Sequence, residues 1–296
     1  MNPVGLYFAS GDSLYAGVGL LLLAVVTSPY LKPPWLLRLR NLAAWMALAL
    51  MVIACPPFSW IVDAILIALF VLWLTVANDW LWPGTKSRRL STSLLLILLL
   101  TLTALELSHR RLPTITGVPS DHLAVIGDSI SSGIDPRVPT GPTLRAQLNG
   151  VSVKNLSRPG AQSIDGPAMA EKITPDDRVV LIEIGGNDLL GGVPSGTFEK
   201  NLDATLSKLV MPRRTIVMFE LPLFPHKIAY GRIQRRLAKK YGVWLIPKRC
   251  FIEVIGGASA TSDGLHLTES GAHRMATLVA NVLSLVLKAH TAGTTS

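Results

Sequence analysis

His122-Leu123-Ala124-Val125-Ile126-Gly127-Asp128-Ser129-Ile130 is the stretch that decides the fold class. His122 to Ile126 is a short β-type run, and it breaks into a glycine, an aspartate and a serine. A buried strand therefore ends in a turn that carries a hydroxyl nucleophile at its tip. Outward from it the same texture repeats. Further β-rich runs fall at Val151 to Asn155, Val179 to Ile184, Thr215 to Leu221 and Val243 to Ile246. Helix-like stretches alternate with them: Thr143 to Leu148, Ser163 to Lys172, Phe198 to Leu209, Lys227 to Tyr241 and Glu269 to Lys288. Strands alternating with helices predict an α/β unit with a five-stranded parallel sheet covered by helices in three layers. About 175 residues are enough for one such core.

The residues that carry chemistry sit where that sheet would gather them. Ser129 follows the first strand, Gly160 (in Ser157-Arg158-Pro159-Gly160) the second, and Asn187 (in Gly185-Gly186-Asn187-Asp188) the third. Asp263-Gly264-Leu265-His266 follows the fifth after a loop. Open α/β sheets build their sites at the carboxyl ends of the strands, so residues far apart in sequence are predicted to meet at one edge. A glycine at 160 lets backbone approach a substrate oxygen, and an Asn amide at 187 can donate to an anion where Asp could not. Three positions separate Asp263 from His266, so a tight loop can hold base and orienting carboxylate together. Taken singly, each motif has an ordinary explanation as a turn or a surface segment; their order and their places after strands favour a site. The elbow Gly-x-Ser-x-Gly is absent, because Ser131 stands where the second glycine would be. His273 is an alternative base, but its segment predicts a helix surface.

In this order the four blocks resemble those of the SGNH superfamily, the GDSL-like lipases and esterases, over about residues 120 to 288, with Ile130 in place of the usual Leu. The resemblance implies the flavodoxin-like SGNH fold and a serine esterase that forms an acyl-enzyme. Ser129 would be the nucleophile, His266 the base and Asp263 its orienting carboxylate. The backbone N–H groups of Ser129 and Gly160 and the Asn187 amide would form the oxyanion hole. It implies no cofactor and no metal. The remaining histidines, His109, His122, His226, His273 and His290, are scattered singly, without ligand spacing. The implied substrate is an acyl ester, a lipid or an acetylated glycan. Alternatives are an O-acyltransferase or O-acetylesterase acting on cell-envelope glycans, and a non-catalytic membrane scaffold.

Composition changes sharply near residue 112. The first part holds 8 of the 28 Lys/Arg, 4 of the 19 Asp/Glu and 6 of the 7 Trp. The expected organisation is a transmembrane region over 1–112, a hydrolase domain over 113–290 and a disordered tail over 291–296. Four apolar segments stand out: Leu14 to Tyr30, Leu42 to Ala54, Trp60 to Trp82 and Leu90 to Leu107. A spanning helix needs about 20 apolar residues. The second segment is short unless it includes Cys55-Pro56-Pro57-Phe58, and a re-entrant hairpin with the third is the alternative. Lys32, Arg38 and Arg40 lie between the first two segments and Lys86, Arg88 and Arg89 between the last two, which places those loops in the cytoplasm and both termini outside. Arg110 and Arg111 oppose this and are outnumbered. The expected location is a bacterial inner membrane, with the catalytic domain periplasmic and membrane lipid as a partner. A start that lacks a basic n-region and carries Asp12 argues against a cleaved signal peptide.

The net charge of +9 fits positive loops and anionic lipid. Without an aromatic-interleaved basic stripe, no nucleic-acid partner is expected. Two cysteines, Cys55 and Cys250, at different depths predict no structural disulfide. Lys227 to Tyr241 reads as a basic amphipathic helix, either solvated or resting on anionic headgroups. Gly191 to Thr197 and Phe251 to Ser262 are expected to shape the pocket.

Overall fold

The computed structural model describes residues 3–54, 56–132, 144, 147–148, 150–224 and 227–287. Half of the predicted helix at Thr143 to Leu148 lies outside these residues, with Leu144 and Gln147 helical; the 291–296 tail, Cys55, His226 and His290 lie outside them entirely. The chain divides into two compact units, a helical one of Tyr7–Arg110 with Leu223–Ile228 and an α/β one made by the rest of the chain.

The N-terminal region begins with a short helix α1 (Pro3–Ala9), followed by α2 (Ser13–Thr27), α3 (Pro34–Ile53), α4 (Trp60–Ala77) and α5 (Thr85–Arg110). The span of α2 and its 3₁₀ extension to Tyr30, and the helices α3, α4 and α5, are long and apolar enough to cross a membrane. The second segment starts earlier than its apolar run suggested. Pro34 fits the first turn of a helix, where its missing N–H goes unnoticed, so α3 takes in Arg38 and Arg40 and reaches 20 residues. The bundle core is built from Leu14, Leu21, Ala47, Phe70, Trp73, Leu95 and Leu99, all buried. Leu23, Val26, Ile61, Ile97 and Leu100 are exposed on the helices' other faces. A helix that is apolar all round belongs in an apolar surrounding.

Arg40 is not a loop charge, as the sequence suggested, but is buried. Its guanidinium donates to Ser28 Oγ (2.8 Å), Asn41 Oδ1 (2.7 Å), Asn78 Oδ1 (2.8 Å) and the Ala77 carbonyl (3.5 Å). These acceptors include the C-terminal ends of α2 and α4, where helix dipoles favour a cation. Asp12 pairs with Arg110 and Asp79 with Arg88, so both carboxylates near segment ends meet a basic partner within the bundle.

The α/β unit carries β1 (His122–Gly127), α6 (Ser129–Ser132), β2 (Ser152–Asn155), a 3₁₀ turn at Ser163–Asp165, α7 (Gly166–Ala170), β3 (Val179–Glu183), α8 (Gly186–Gly191), α9 (Ser195–Leu209), β4 (Thr215–Phe219), α10 (Ile228–Tyr241), β5 (Trp244–Ile246), α11 (Lys248–Ile255) and α12 (Glu269–Leu283). All four strand pairings are parallel, in the order β2-β1-β3-β4-β5. This is the flavodoxin-like order, and right-handed crossovers on either side of β1 put helices on both faces. Every residue of β3 and β4 is buried, as expected of a parallel sheet covered on both faces. Each fully buried Val, Leu or Ile here contributes about 1.5–3 kcal/mol.

Three helices of the α/β unit, α6, α8 and α11, were not read from the sequence. α11 begins after Pro247 and takes up Phe251 to Ile255, which pack into the core, with the Phe251 and Phe219 rings 5.7 Å apart. Only the remainder of the expected Phe251 to Ser262 loop is non-helical. α8 arises directly from the Gly185-Gly186-Asn187-Asp188 motif. The basic helix α10 is largely neutralised by its own unit. Arg235 pairs with the buried Glu220 at 2.6 Å, Arg236 with Glu199, and Lys240 with Asp203 at 2.6 Å. Its charge is therefore accounted for by acidic side chains, Glu199 and Asp203 of α9 among them, which favours the solvated reading.

Candidate active site

The register of the sheet aligns Gly127 of β1 with Glu183 of β3. The turn that follows each strand therefore emerges side by side: Asp128-Ser129 after β1, Gly185-Gly186-Asn187-Asp188 after β3. Between these turns and the one after β2 runs a dense set of hydrogen bonds. Arg158 N–H donates to the Gly127 carbonyl at 3.3 Å, bringing the Gly160 loop beside the serine turn. Asp188 accepts from Ser163 N–H and Ser163 Oγ, tying that loop to α8.

Ser129 opens α6 and is largely buried. Gly160 has φ of +74° and open space around the position of a side chain, so its left-handed backbone is the reason for glycine there rather than crowding. Gly185 needs glycine on both counts. Its φ is +114°, and a Cβ would stand 2.8 Å from Phe198 and 2.9 Å from Leu221.

Asn187 follows Gly186 in the first turn of α8. Its Nδ2 donates to the Ala161 carbonyl at 2.9 Å and to Asp128 Oδ2 at 3.3 Å. Both amide hydrogens are thus directed at groups beside Gly160 and Ser129. Donation to a substrate oxyanion requires exchange of one of them, and the longer bond to Asp128 is the weaker.

Asp263 and His266 occupy one tight loop. Ser262 N–H donates to the His266 carbonyl at 2.9 Å and Thr268 N–H to the Ala260 carbonyl at 3.0 Å, closing it from both ends. Within it Asp263 Oδ1 accepts from the backbone N–H of Leu265 (2.9 Å) and His266 (2.8 Å), while Oδ2 lies 2.5 Å from His266 Nδ1. The backbone and imidazole bonds from His266, and the backbone bond from Leu265, hold the Asp263 carboxyl well below the usual carboxylate range. With Nδ1 engaged, Nε2 is the free end of the imidazole. The His266 charge is felt at Asp128, the neighbour of Ser129 in sequence. Among the described residues no hydrogen bond joins Ser129 Oγ to that ring, and nucleophile–base bonds are often looser before substrate is present. His273 is exposed on α12 and hydrogen-bonds Gln147 at 3.0 Å.

A buried feature was not read from the sequence. Glu183, at the end of an otherwise apolar strand, accepts from Ser131 Oγ at 2.9 Å and lies against Asp128. Burial, then the Asp128 charge, raises its carboxyl well above the usual range. The signal in the sequence was a lone acid closing a run of β-branched and aliphatic residues.

A flavodoxin-like parallel sheet whose turns bring serine, glycine and asparagine motifs to one edge, with an Asp/His pair on a following loop, defines the class of the unit as a hydrolase of the α/β type without a nucleophile elbow. The chain belongs to the GDSL-like lipase/acylhydrolase family, which it matches over residues 125–274. It is 30% identical over 167 residues to an arylesterase of Vibrio mimicus, covering 50% of this chain and 80% of that one. It is also 30% identical over 148 residues to thioesterase 1/protease 1/lysophospholipase L1 of Escherichia coli K12, covering 45% of this chain and 69% of that protein. A crystal structure of TesA superposes with a TM-score of 0.48 and 27% identity, covering 56% of this chain and 99% of that one. The protein is a carboxylic ester hydrolase.

Proposed function

We propose that the chain is a membrane-anchored serine esterase in which Ser129, His266 and Asp263 act as a triad. Ser129 Oγ attacks the ester carbonyl while His266 Nε2 takes its proton. The tetrahedral oxyanion is held by the backbone N–H groups of Ser129 and Gly160 and by the Asn187 amide. Collapse expels the alcohol, protonated by His266, and water activated by the same imidazole releases the acid from the acyl-enzyme. The observation that carries this reading is the Asp263–His266 pair, whose geometry fixes one tautomer and frees Nε2.

The four long apolar helices and their exposed apolar faces support residues 1–112 as a bacterial inner-membrane anchor preceding a hydrolase domain at 113–290. The positive-inside rule then favours a periplasmic catalytic domain. The substrate in this reading is an acyl ester, of a lipid or of an acetylated glycan. The test uses the full-length protein in detergent with p-nitrophenyl esters from acetate to palmitate. Turnover and fluorophosphonate labelling, both abolished by Ser129→Ala, are expected. Turnover that survives Ser129→Ala would remove the triad assignment.

A further inference from the structure

The described α/β unit holds a pair of buried carboxyl groups that the proposed reaction does not use. Asp128 and Glu183 are each buried, at 3% exposure. Glu183 is the register partner of Gly127, so the two carboxyls stand beside each other and each perturbs the other's ionisation. Asp128 Oδ1 accepts from Ile130 N–H at 2.9 Å and Oδ2 from Asn187 Nδ2 at 3.3 Å. Glu183 Oε2 accepts from Ser131 Oγ at 2.9 Å and stands 3.5 Å from the Asp128 N–H.

Two touching carboxylates in a buried site cannot both ionise, so such a pair shares one proton. The arrangement of donors says where it lies. Asp128 has a backbone amide and a side-chain amide directed at it, which suits an anion. Glu183 has one hydroxyl and a distant amide, which suits a neutral acid with an O–H of its own to give. The natural recipient is Asp128. The other groups around the pair are Asp188, whose charge opposes ionisation of Asp128, and His266, whose charge favours it.

We infer that Glu183 is a positioning residue, a buried carboxylic acid that donates to Asp128 and so leaves the Asn187 amide free to turn to the oxyanion. This rests on the proposed esterase reaction. While Glu183 keeps its proton, Asp128 is saturated by Glu183 and Ile130, and its 3.3 Å hold on Asn187 is the bond that yields. When Glu183 loses its proton, two facing carboxylates compete for donors. Asn187 is then retained by Asp128, and a second negative charge stands beside the forming oxyanion. Hydrolysis falls on the alkaline side as a result. Burying a carboxyl costs free energy unless it is paired, and the groups that pair with Glu183 are Ser131 and Asp128 of the serine turn.

The test compares the full-length wild type with Glu183→Gln and Glu183→Leu. Gln keeps a donor to Asp128 and has no proton to lose; Leu removes the donor. Glu183→Gln is expected to retain most of kcat at neutral pH and to lose the alkaline decline. Glu183→Leu is expected to unfold below the wild-type temperature, because Ser131 Oγ and the Asp128 N–H lose their acceptor, with KM unchanged and kcat lower on the order of 10-fold, less than the 10²–10³ for loss of an oxyanion donor. Infrared difference spectra, wild type minus Glu183→Gln, should show a protonated-carboxyl C=O band at neutral pH that bleaches on the alkaline side. Absence of that band overturns the inference, as does an alkaline decline unchanged in Glu183→Gln or a wild-type kcat in Glu183→Leu. If the wild type has no Ser129-dependent turnover, the esterase reading falls. The infrared band, which needs no turnover, still decides whether Glu183 holds a proton.

Discussion

The Asp188 carboxylate receives two hydrogen bonds from Ser163, one from its N–H at 2.8 Å and one from its hydroxyl at 2.5 Å. Asp188 is the residue after Asn187, and Ser163 lies three positions beyond Gly160. One buried side chain thereby sets the distance between two of the three oxyanion donors proposed above. Asp188→Ala leaves the Ser163 N–H without its acceptor in the interior, while Ser163 Oγ keeps only the bond it accepts from Asn201 Nδ2 at 3.1 Å; each buried group left unsatisfied costs about 1–3 kcal/mol. The expected outcome is a lower unfolding temperature together with a kcat loss, whereas a purely structural tie would lower the temperature alone. Thermal unfolding and steady-state kinetics on the same preparation check both.

Asn187→Ala removes a donor and also orphans the Ala161 carbonyl that Nδ2 now serves at 2.9 Å. Loss of one oxyanion donor lowers kcat on the order of 10²–10³. KM for a p-nitrophenyl ester should change little, because the interaction belongs to the transition state. A mutant that raised KM and left kcat intact would place Asn187 in substrate binding instead.

Asp263→Asn keeps the size of the side chain but not its charge, so the tautomer of His266 is no longer enforced. In the serine-protease template such a change lowers kcat on the order of 10⁴. The same substitution has a signature in stability. The folded-state pKa of Asp263 is depressed by its bonds to His266 and Leu265, so its contribution is fully present above the ordinary carboxylate value of about 3.9 and is lost as pH falls from there toward the depressed folded value. The wild-type advantage over Asp263→Asn should therefore be constant near neutrality and shrink only in acid. Unfolding temperatures of both proteins against pH would measure it, and an advantage that grew in acid would contradict the pairing.

Gly17 of α2 packs against α3, where a Cβ would stand 2.7 Å from the Ala47 carbonyl oxygen and 2.7 Å from Met51 Cγ. Backbone oxygen cannot move aside as a flexible side chain does. Gly17→Val should force the two helices apart and destabilise the bundle by about 1–3 kcal/mol. Gly19, with nothing within 4 Å of its Cβ position, should accept alanine freely. Thermal unfolding in detergent of Gly17→Val beside Gly19→Ala separates packing from helix propensity.

The sequence by itself determined the five strands and their class, because β-branched runs such as Val179-Val180-Leu181-Ile182 report burial on both faces without help from anything distant. It also determined the order in which the serine, glycine, asparagine and Asp/His motifs occur, and the four apolar segments. Tertiary structure alone decided the rest, and the reason is the same each time: the partner that settles a polar residue's state is remote in sequence. Arg38 and Arg40 looked like loop charges until Pro34 started the helix earlier and Ser28 and Asn78 enclosed Arg40. Whether α10 is solvated or rests on headgroups stayed open in the sequence, and it tilts to the solvated reading once Glu220, Glu199 and Asp203 are found beside Arg235, Arg236 and Lys240. The helix α11 was passed over because its 8 residues fall short of the roughly ten or more that mark a helix in sequence, although one of its faces is apolar. Glu183 carried no reading within the run Val179 to Ile184; only the alignment of β3 with β1 puts it against Asp128, where burial and a neighbouring carboxyl push its pKa up.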